Sequence, residues 1–157
     1  MIEIRELKSN DNFKELVNLS KEFFKEYESH HEEFFKIDKL EDKHITDYFS
    51  RWINNNDGVT YIAISNMEIV GYITIYVKTQ AEYWKVKRIG DISGLMVKKS
   101  HRCKGIASLL FEKSMIFFKK KGVKYFTVFT AVENHVALSF YKKQKMSPIY
   151  STMMGEL

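Results

Sequence analysis

At 157 residues the chain is long enough for a single domain that closes its own core, since domains of this size bury about 70% of their unfolded surface. Hydrophobic residues at 45% supply that core, and a lone cysteine, Cys103, excludes an internal disulfide and suits a reducing compartment. The net charge of +5 is only mildly basic, and the opening Met1-Ile2-Glu3-Ile4-Arg5-Glu6 has no apolar run, so a cytoplasmic chain that does not enter a membrane is expected.

Ile2 to Leu7 alternates apolar and charged residues, as a half-buried strand does. Ser9-Asn10-Asp11 offers capping side chains for a helix running to about Glu28, with Phe13, Leu16, Val17, Phe23 and Phe24 as its buried stripe. A second helix is predicted over Glu41 to Asn54, ended by the turn Asp57-Gly58. Val59 to Ser65 and Ile69 to Lys78 read as a hairpin around Asn66-Met67-Glu68, and a further strand covers Arg88 to Lys98. The next helix starts near Lys104, buries Ile106, Leu109, Leu110 and Phe117, and stops at Gly122. Lys124 to Thr130 is rich in aromatic and β-branched residues, hence a strand. Asn134 can cap a helix from His135 to Gln144, and Met146 to Met154 is predicted as a last strand, confined to an edge or bulge by Pro148. The order gives an α/β domain with a mixed, mostly antiparallel sheet.

Charge is unevenly placed. Between Glu22 and Asp47, nine acids face only Lys25, Lys36, Lys39 and Lys43, whereas Lys98, Lys99, Arg102, Lys104 and Lys119 to Lys121 lie in the second half. Solvated helix faces account for such runs, and Lys119 to Lys121 also suit the negative end of a helix dipole. The five histidines show no metal-ligand spacing and no cysteine pair, so no metal is expected.

The chemistry concentrates where Leu95-Met96-Val97 leads through Lys98 to His101 into Arg102-Cys103-Lys104-Gly105-Ile106-Ala107. A strand that runs through a tight loop into a helix start presents free backbone N–H groups with the helix dipole behind them, an anion site suited to a pyrophosphate. Gly105 permits close backbone approach and Ala107 leaves room one turn in. No Gly-Lys-Ser/Thr follows, and the spacing is not that of a dinucleotide fingerprint.

Arg102-x-x-Gly105-x-Ala107 resembles the cofactor loop of the GNAT superfamily of N-acetyltransferases, Gln/Arg-x-x-Gly-x-Gly/Ala. Asn134-x-x-Ala137-x-x-Phe140-Tyr141 is similar to the second signature of that family and arrives one strand later, as the family requires. The resemblance covers essentially the whole chain and implies one domain over residues 1–157, with helices on both faces of the sheet. It further implies acetyl-coenzyme A as acyl donor and direct acetyl transfer to an amine, either a small molecule or a protein amino group such as lysine.

Carried over residue by residue, the resemblance puts the coenzyme pyrophosphate on backbone N–H groups from Arg102 through Cys103, Lys104, Gly105 and Ile106 to Ala107. Met96 and Val97 would pair with the pantetheine arm as if it were a strand, Asn134 would face that arm, and Tyr141 would protonate the departing thiolate. A phenol with a reference pKa of about 10 stays protonated at neutral pH and can donate to a thiolate whose conjugate acid has one of about 8.5.

Two departures stand out. Many family members carry a glutamate where alignment on Leu95 to Val97 puts Ser93, which leaves the general base open. Asp91 is the nearest carboxylate and shares a face with Ser93 by period-two alternation, so Asp91 acting through a Ser93-bound water is one candidate and a surface aspartate is the other. Gly94 suggests a bulge. The other departure is Lys145-Met146 in place of Gly-Phe after the last helix. Cys103 reads as an incidental thiol, because direct transfer needs no protein nucleophile. Two rivals remain: a coenzyme A-binding module without catalysis, and a nucleic-acid binder, against which the acidic segment argues. The resemblance leaves a homodimer open, and the acids from Glu22 to Asp47 make a cationic acceptor, such as a polyamine, an aminoglycoside-like compound or a lysine side chain, a reasonable hypothesis.

Overall fold

In the computed structural model, which describes all 157 residues, five strands form one sheet in the order β1-β2-β3-β4-β5. They are β1 (Ile2–Glu6), β2 (Gly58–Ser65), β3 (Glu68–Thr79), β4 (Arg88–Val97) and β5 (Phe126–Val128). The first four pair antiparallel and only β4–β5 is parallel. Helices α1 (Phe13–Tyr27) and α2 (Asp42–Ser50) cover one face, and α3 (Ile106–Lys120) and α4 (His135–Lys143) cover the other.

Alternation along the strands divides the core in two. Ile62, Ile69, Tyr72 and Met96 pack under α1 and α2 against Leu16, Ile45 and Phe49. Tyr61, Ala63, Ile73, Ile75 and Ile92 turn the other way, against Ile106, Leu110, Phe111 and Phe118. A sheet buried on both faces needs apolar residues at consecutive positions, which β2 and β3 supply. Where a polar side chain enters, it is matched: the hydroxyls of Thr60 and Thr74, both buried, meet at 2.9 Å.

Several predicted details shift. Asp11 does not cap α1; its carboxylate takes two bonds from the Arg5 guanidinium, at 2.8 and 2.5 Å, and one from the backbone N–H of Lys8. That charge-assisted fork fastens the β1–α1 turn and holds the Asp11 carboxyl below its ordinary pKa. In α3 the buried stripe is Ile106, Leu110, Phe111, Ser114 and Phe118, while Leu109 is exposed and Phe117 half-buried. This helix is apolar around much of its circumference, so periodicity alone leaves its inward face undetermined. Both α2 and β5 are shorter than predicted, and α2 continues beyond Ser50 only as hydrogen-bonded turns.

The predicted strand over Met146 to Met154 does not form; that stretch is irregular, with Ile149, Tyr150 and Met153 exposed. Pro148 has no N–H to donate, and β5 has only three residues to pair with.

Helix α4 nevertheless ends as though a glycine followed it. Lys145 adopts the left-handed conformation (φ 62°), and Met146 N–H donates to Tyr141 C=O at 3.1 Å. Gly122 plays the same part after α3 without a side-chain penalty (φ 67°). Lys145→Gly should therefore stabilise the fold by about 0.5–1 kcal/mol, the left-handed cost less the flexibility added to the unfolded chain. Thermal unfolding should then show a midpoint raised by roughly 2 °C; an unchanged or lowered midpoint would contradict this reading of the turn.

Candidate active site

The sheet comes apart at β4. Parallel pairing with β5 is limited to Gly90–Phe126, Asp91–Thr127 and Ile92–Val128, and from Gly94 onward β4 has a partner on the β3 side alone. The β3–β4 register passes from Ile75–Ile92 to Thr74–Gly94, so the bulged residue is Ser93, one position before the glycine that signalled it. An extra residue bends its strand and ends regular pairing, which is why the gap opens here.

Backbone direction along the gap follows from the ladder. Lys98 N–H donates to Val70 C=O at 2.8 Å, so in antiparallel alternation Met96 turns its polar backbone groups toward β3 while Leu95 and Val97 turn theirs into the gap. Of the two residues expected to present their backbone there, Val97 does so and Met96 does not. The Met96 side chain is buried in the core beneath α1 and α2.

Past Val97 the chain makes one 3₁₀ turn (Lys99–His101) and enters α3. Arg102 N–H is spent on Lys99 C=O, at 3.3 Å. The N–H groups from Cys103 to Ser108 donate to no acceptor within the protein; the first to do so is Leu109 N–H, to Gly105 C=O at 3.1 Å. Cys103 (φ 59°) and Gly105 (φ 79°) both lie in the left-handed region, which curls successive N–H groups into a concave nest at the helix start. Glycine at 105 is favoured by that φ, since a Cβ there would meet nothing within 4 Å. Cys103 holds the same conformation at a cost of roughly 1–2 kcal/mol, and its thiol is exposed. Ile106 anchors the helix start in the core and Ala107 is half-buried beside it.

The basic side chains are disposed otherwise than expected. Arg102 turns inward: Nε donates to Val97 C=O at 2.9 Å, and Nη2 reaches both carboxylate oxygens of Glu26 on α1, at 2.8 and 3.0 Å. It therefore clasps the loop to α1 and adds no free charge at the helix start. Lys99 also approaches Glu26, and Lys98 pairs with Glu68. Only Lys104 is left without an acidic partner, its ammonium resting on Ser100 C=O.

After β5, Asn134 Oδ1 accepts from Ala137 N–H at 3.1 Å and so caps α4. Tyr141, two turns on, is 8% exposed. Burial pushes its phenol well above the ordinary tyrosine range, so the group stays protonated across physiological pH.

Beneath the fork, facing α2, lie the two groups considered for the amine's proton. Asp91 Oδ1 pairs with the Lys78 ammonium on β3 and accepts from Thr127 Oγ1 on β5 at 3.3 Å, tying three strands together just before β4 and β5 part. Ser93 Oγ accepts from Tyr48 O–H of α2 at 2.7 Å. The two residues are thus on one face, as alternation indicated, yet each has its own partner. Tyr48, Lys78, Thr127 and Glu26 carry no local sequence signal that could have singled them out.

These features meet in one family. Its model, described as acetyltransferase (GNAT) family, matches residues 14–146. The chain belongs to the acetyltransferase (GNAT) family. No curated protein matches it in sequence. A mutant of the BH1408 protein from Bacillus halodurans superposes with a TM-score of 0.85 at 20% identity, covering 99% of both chains. An aminoglycoside antibiotic 6'-N-acetyltransferase from Acinetobacter haemolyticus gives 0.75 at 12% identity, over 99% of this chain and 97% of that one. A predicted acetyltransferase from Clostridium acetobutylicum, solved with acetyl-CoA, gives 0.76 at 19% identity, over 99% and 96%. At these identities the likeness is one of fold, and the GNAT fold is what this chain shares with them.

Asn134 carries a structural duty that is separable from any contact with a ligand. Asn134→Ala should cost about 1 kcal/mol through loss of the cap, whereas Asn134→Asp, which retains the accepting oxygen, should unfold close to wild type in denaturant titration. Equal losses in the two variants would contradict the capping role.

Proposed function

We propose that the protein is an acetyl-coenzyme A-dependent N-acetyltransferase that transfers its acetyl group directly to an amine. The observation that carries this reading is the continuity of the fork with the loop: the gap-facing Val97 N–H leads within a few residues to the unspent N–H groups of Cys103 to Ser108. A long ligand that is amide-like at one end and anionic at the other matches that succession of donors. Acetyl-coenzyme A supplies the activated thioester.

In this reading the N–H groups from Cys103 to Ala107 hold the pyrophosphate, the gap-facing backbone groups of Leu95 pair with the pantetheine arm, and Asn134 lies alongside it. The Val97 N–H polarises the carbonyl, and Tyr141 gives its proton to the departing sulfur. Because burial raises the Tyr141 phenol, the alkaline side of the pH profile is free of its titration, and the rate should climb with pH as the amine loses its own proton. Beneath the fork that proton can pass to a water held at Ser93, with Asp91 as the nearest carboxylate.

A cationic acceptor is the favoured class. Among the acids from Glu22 to Asp47, Glu26, Glu41, Asp42 and Asp47 are neutralised by Arg102, Lys39, Lys21 and Lys43. Glu22, Glu28, Glu32, Glu33 and Asp38 have no basic partner, and most of them surround the turn after α1. The similarity in fold to an aminoglycoside acetyltransferase agrees with this choice. A second reading, a coenzyme A-binding module without turnover, is favoured by one observation: Ser93 stands at the fork, and Asp91 is already engaged by Lys78 and Thr127.

The deciding experiment measures thiol release from acetyl-coenzyme A with kanamycin, spermidine, glucosamine 6-phosphate and a lysine peptide as acceptors. Turnover that favours the polycations and falls at least about tenfold in Tyr141→Phe is the expected result. Tight cofactor binding with no thiol release would establish the second reading instead, and preference for the phosphorylated amine would overturn the cationic one.

A further inference from the structure

Tyr48 takes no part in the reading above, yet its hydroxyl reaches the one residue of β4 that belongs to no ladder. Ser93 is the bulged residue at the fork, exposed, with Tyr48 O–H donating to its Oγ at 2.7 Å. The phenol comes from α2, where its ring packs edge-on against Phe49, a residue 1% exposed. Burial raises the Tyr48 pKa, so the group is a fixed donor and not a base. Gly94 keeps the adjoining space open, since a Cβ there would stand 4.0 Å from the same hydroxyl.

A serine hydroxyl has one proton and two lone pairs. With one lone pair committed to Tyr48, the other is held in a set direction in place of rotating freely with the solvent. We infer that Tyr48 is a positioning residue, which fixes Ser93 so that its oxygen accepts an N–H of the acceptor amine and thereby aims the nitrogen lone pair at the thioester carbon. This rests on the acetyltransferase reading and adds to it the group that orients the acceptor. The nitrogen–carbon bond forms as the carbon–sulfur bond breaks. The sulfur takes the Tyr141 proton, and the surplus proton on nitrogen leaves to water at the exposed Ser93. Asp91 and Lys78, the charged pair on the same face, are paired with each other and bond to neither Tyr48 nor Ser93, and the Asp91 charge adds to burial in raising the Tyr48 phenol.

The test is a double-mutant cycle with the best of the four amines named above, read as KM for the amine, kcat, and the dissociation constant of acetyl-coenzyme A. Tyr48→Phe should raise the amine KM by about three- to tenfold, the worth of one hydrogen bond, and leave cofactor binding unchanged. Ser93→Ala, at an exposed position where losing a hydroxyl does not disturb the core, should give the same loss, and the double variant should lose no more than either alone. Wild-type KM in either single variant, losses that multiply in the double, or a parallel loss of cofactor affinity would each overturn the inference. If wild-type protein binds the cofactor and acetylates none of the four amines, the acetyltransferase reading itself fails and this inference falls with it.

Discussion

Everything proposed for this site depends on a ladder that stops. β4 is held by β3 at every residue but Ser93 and by β5 for only three rungs, so the last part of its outer edge is left with unpaired peptide groups. An unpaired edge in the middle of a sheet is costly, because backbone donors and acceptors there must find other partners. Here one of them already has: Val97 C=O is taken by Arg102, while its N–H remains directed into the gap. A protein that leaves a sheet open from Ser93 to Val97, beside a helix start whose donors from Cys103 to Ser108 are unspent, has kept those groups for something other than its own fold.

The fork is braced at both ends of its open stretch, on the sheet face that α1 and α2 cover. Below it, Asp91 gathers Lys78 and Thr127 so that the last paired rungs are tied across three strands. Above it, Glu26 draws Arg102 and Lys99 toward α1 and so sets where the loop leaves the sheet. Because a partly buried ion pair is stabilising only when its hydrogen bonds are also satisfied, the two-oxygen grip on Arg102 matters more than its charge. The residue that matches the family's motif by name therefore acts through its side chain as a clasp, and the proposed anion site is left to backbone amides.

Much of this was legible in the chain. Strands and helices with strong periodicity lie where the pattern put them, Gly122 ends α3, and Asn134 caps α4. The two motifs, Arg102 to Ala107 and Asn134 to Tyr141, are local signals, because a helix start or a cap is a property of a few consecutive residues. The failures were of another kind. Asp11 answers to Arg5 in preference to the helix after it, α3 turns a face that periodicity could not choose, and the tail has no strand to join.

What the sequence determined by itself was the element order as far as α4, and the family, since each is written in short-range patterns of residue type. Only the tertiary structure decided which backbone groups face the gap, that Ser93 and not Gly94 is the bulge, and that Arg102 turns inward. It also chose the pairs Tyr48–Ser93 and Glu26–Arg102, whose members are 45 and 76 residues apart. A pair of that separation is selected by strand register and helix packing together, and no local propensity encodes either.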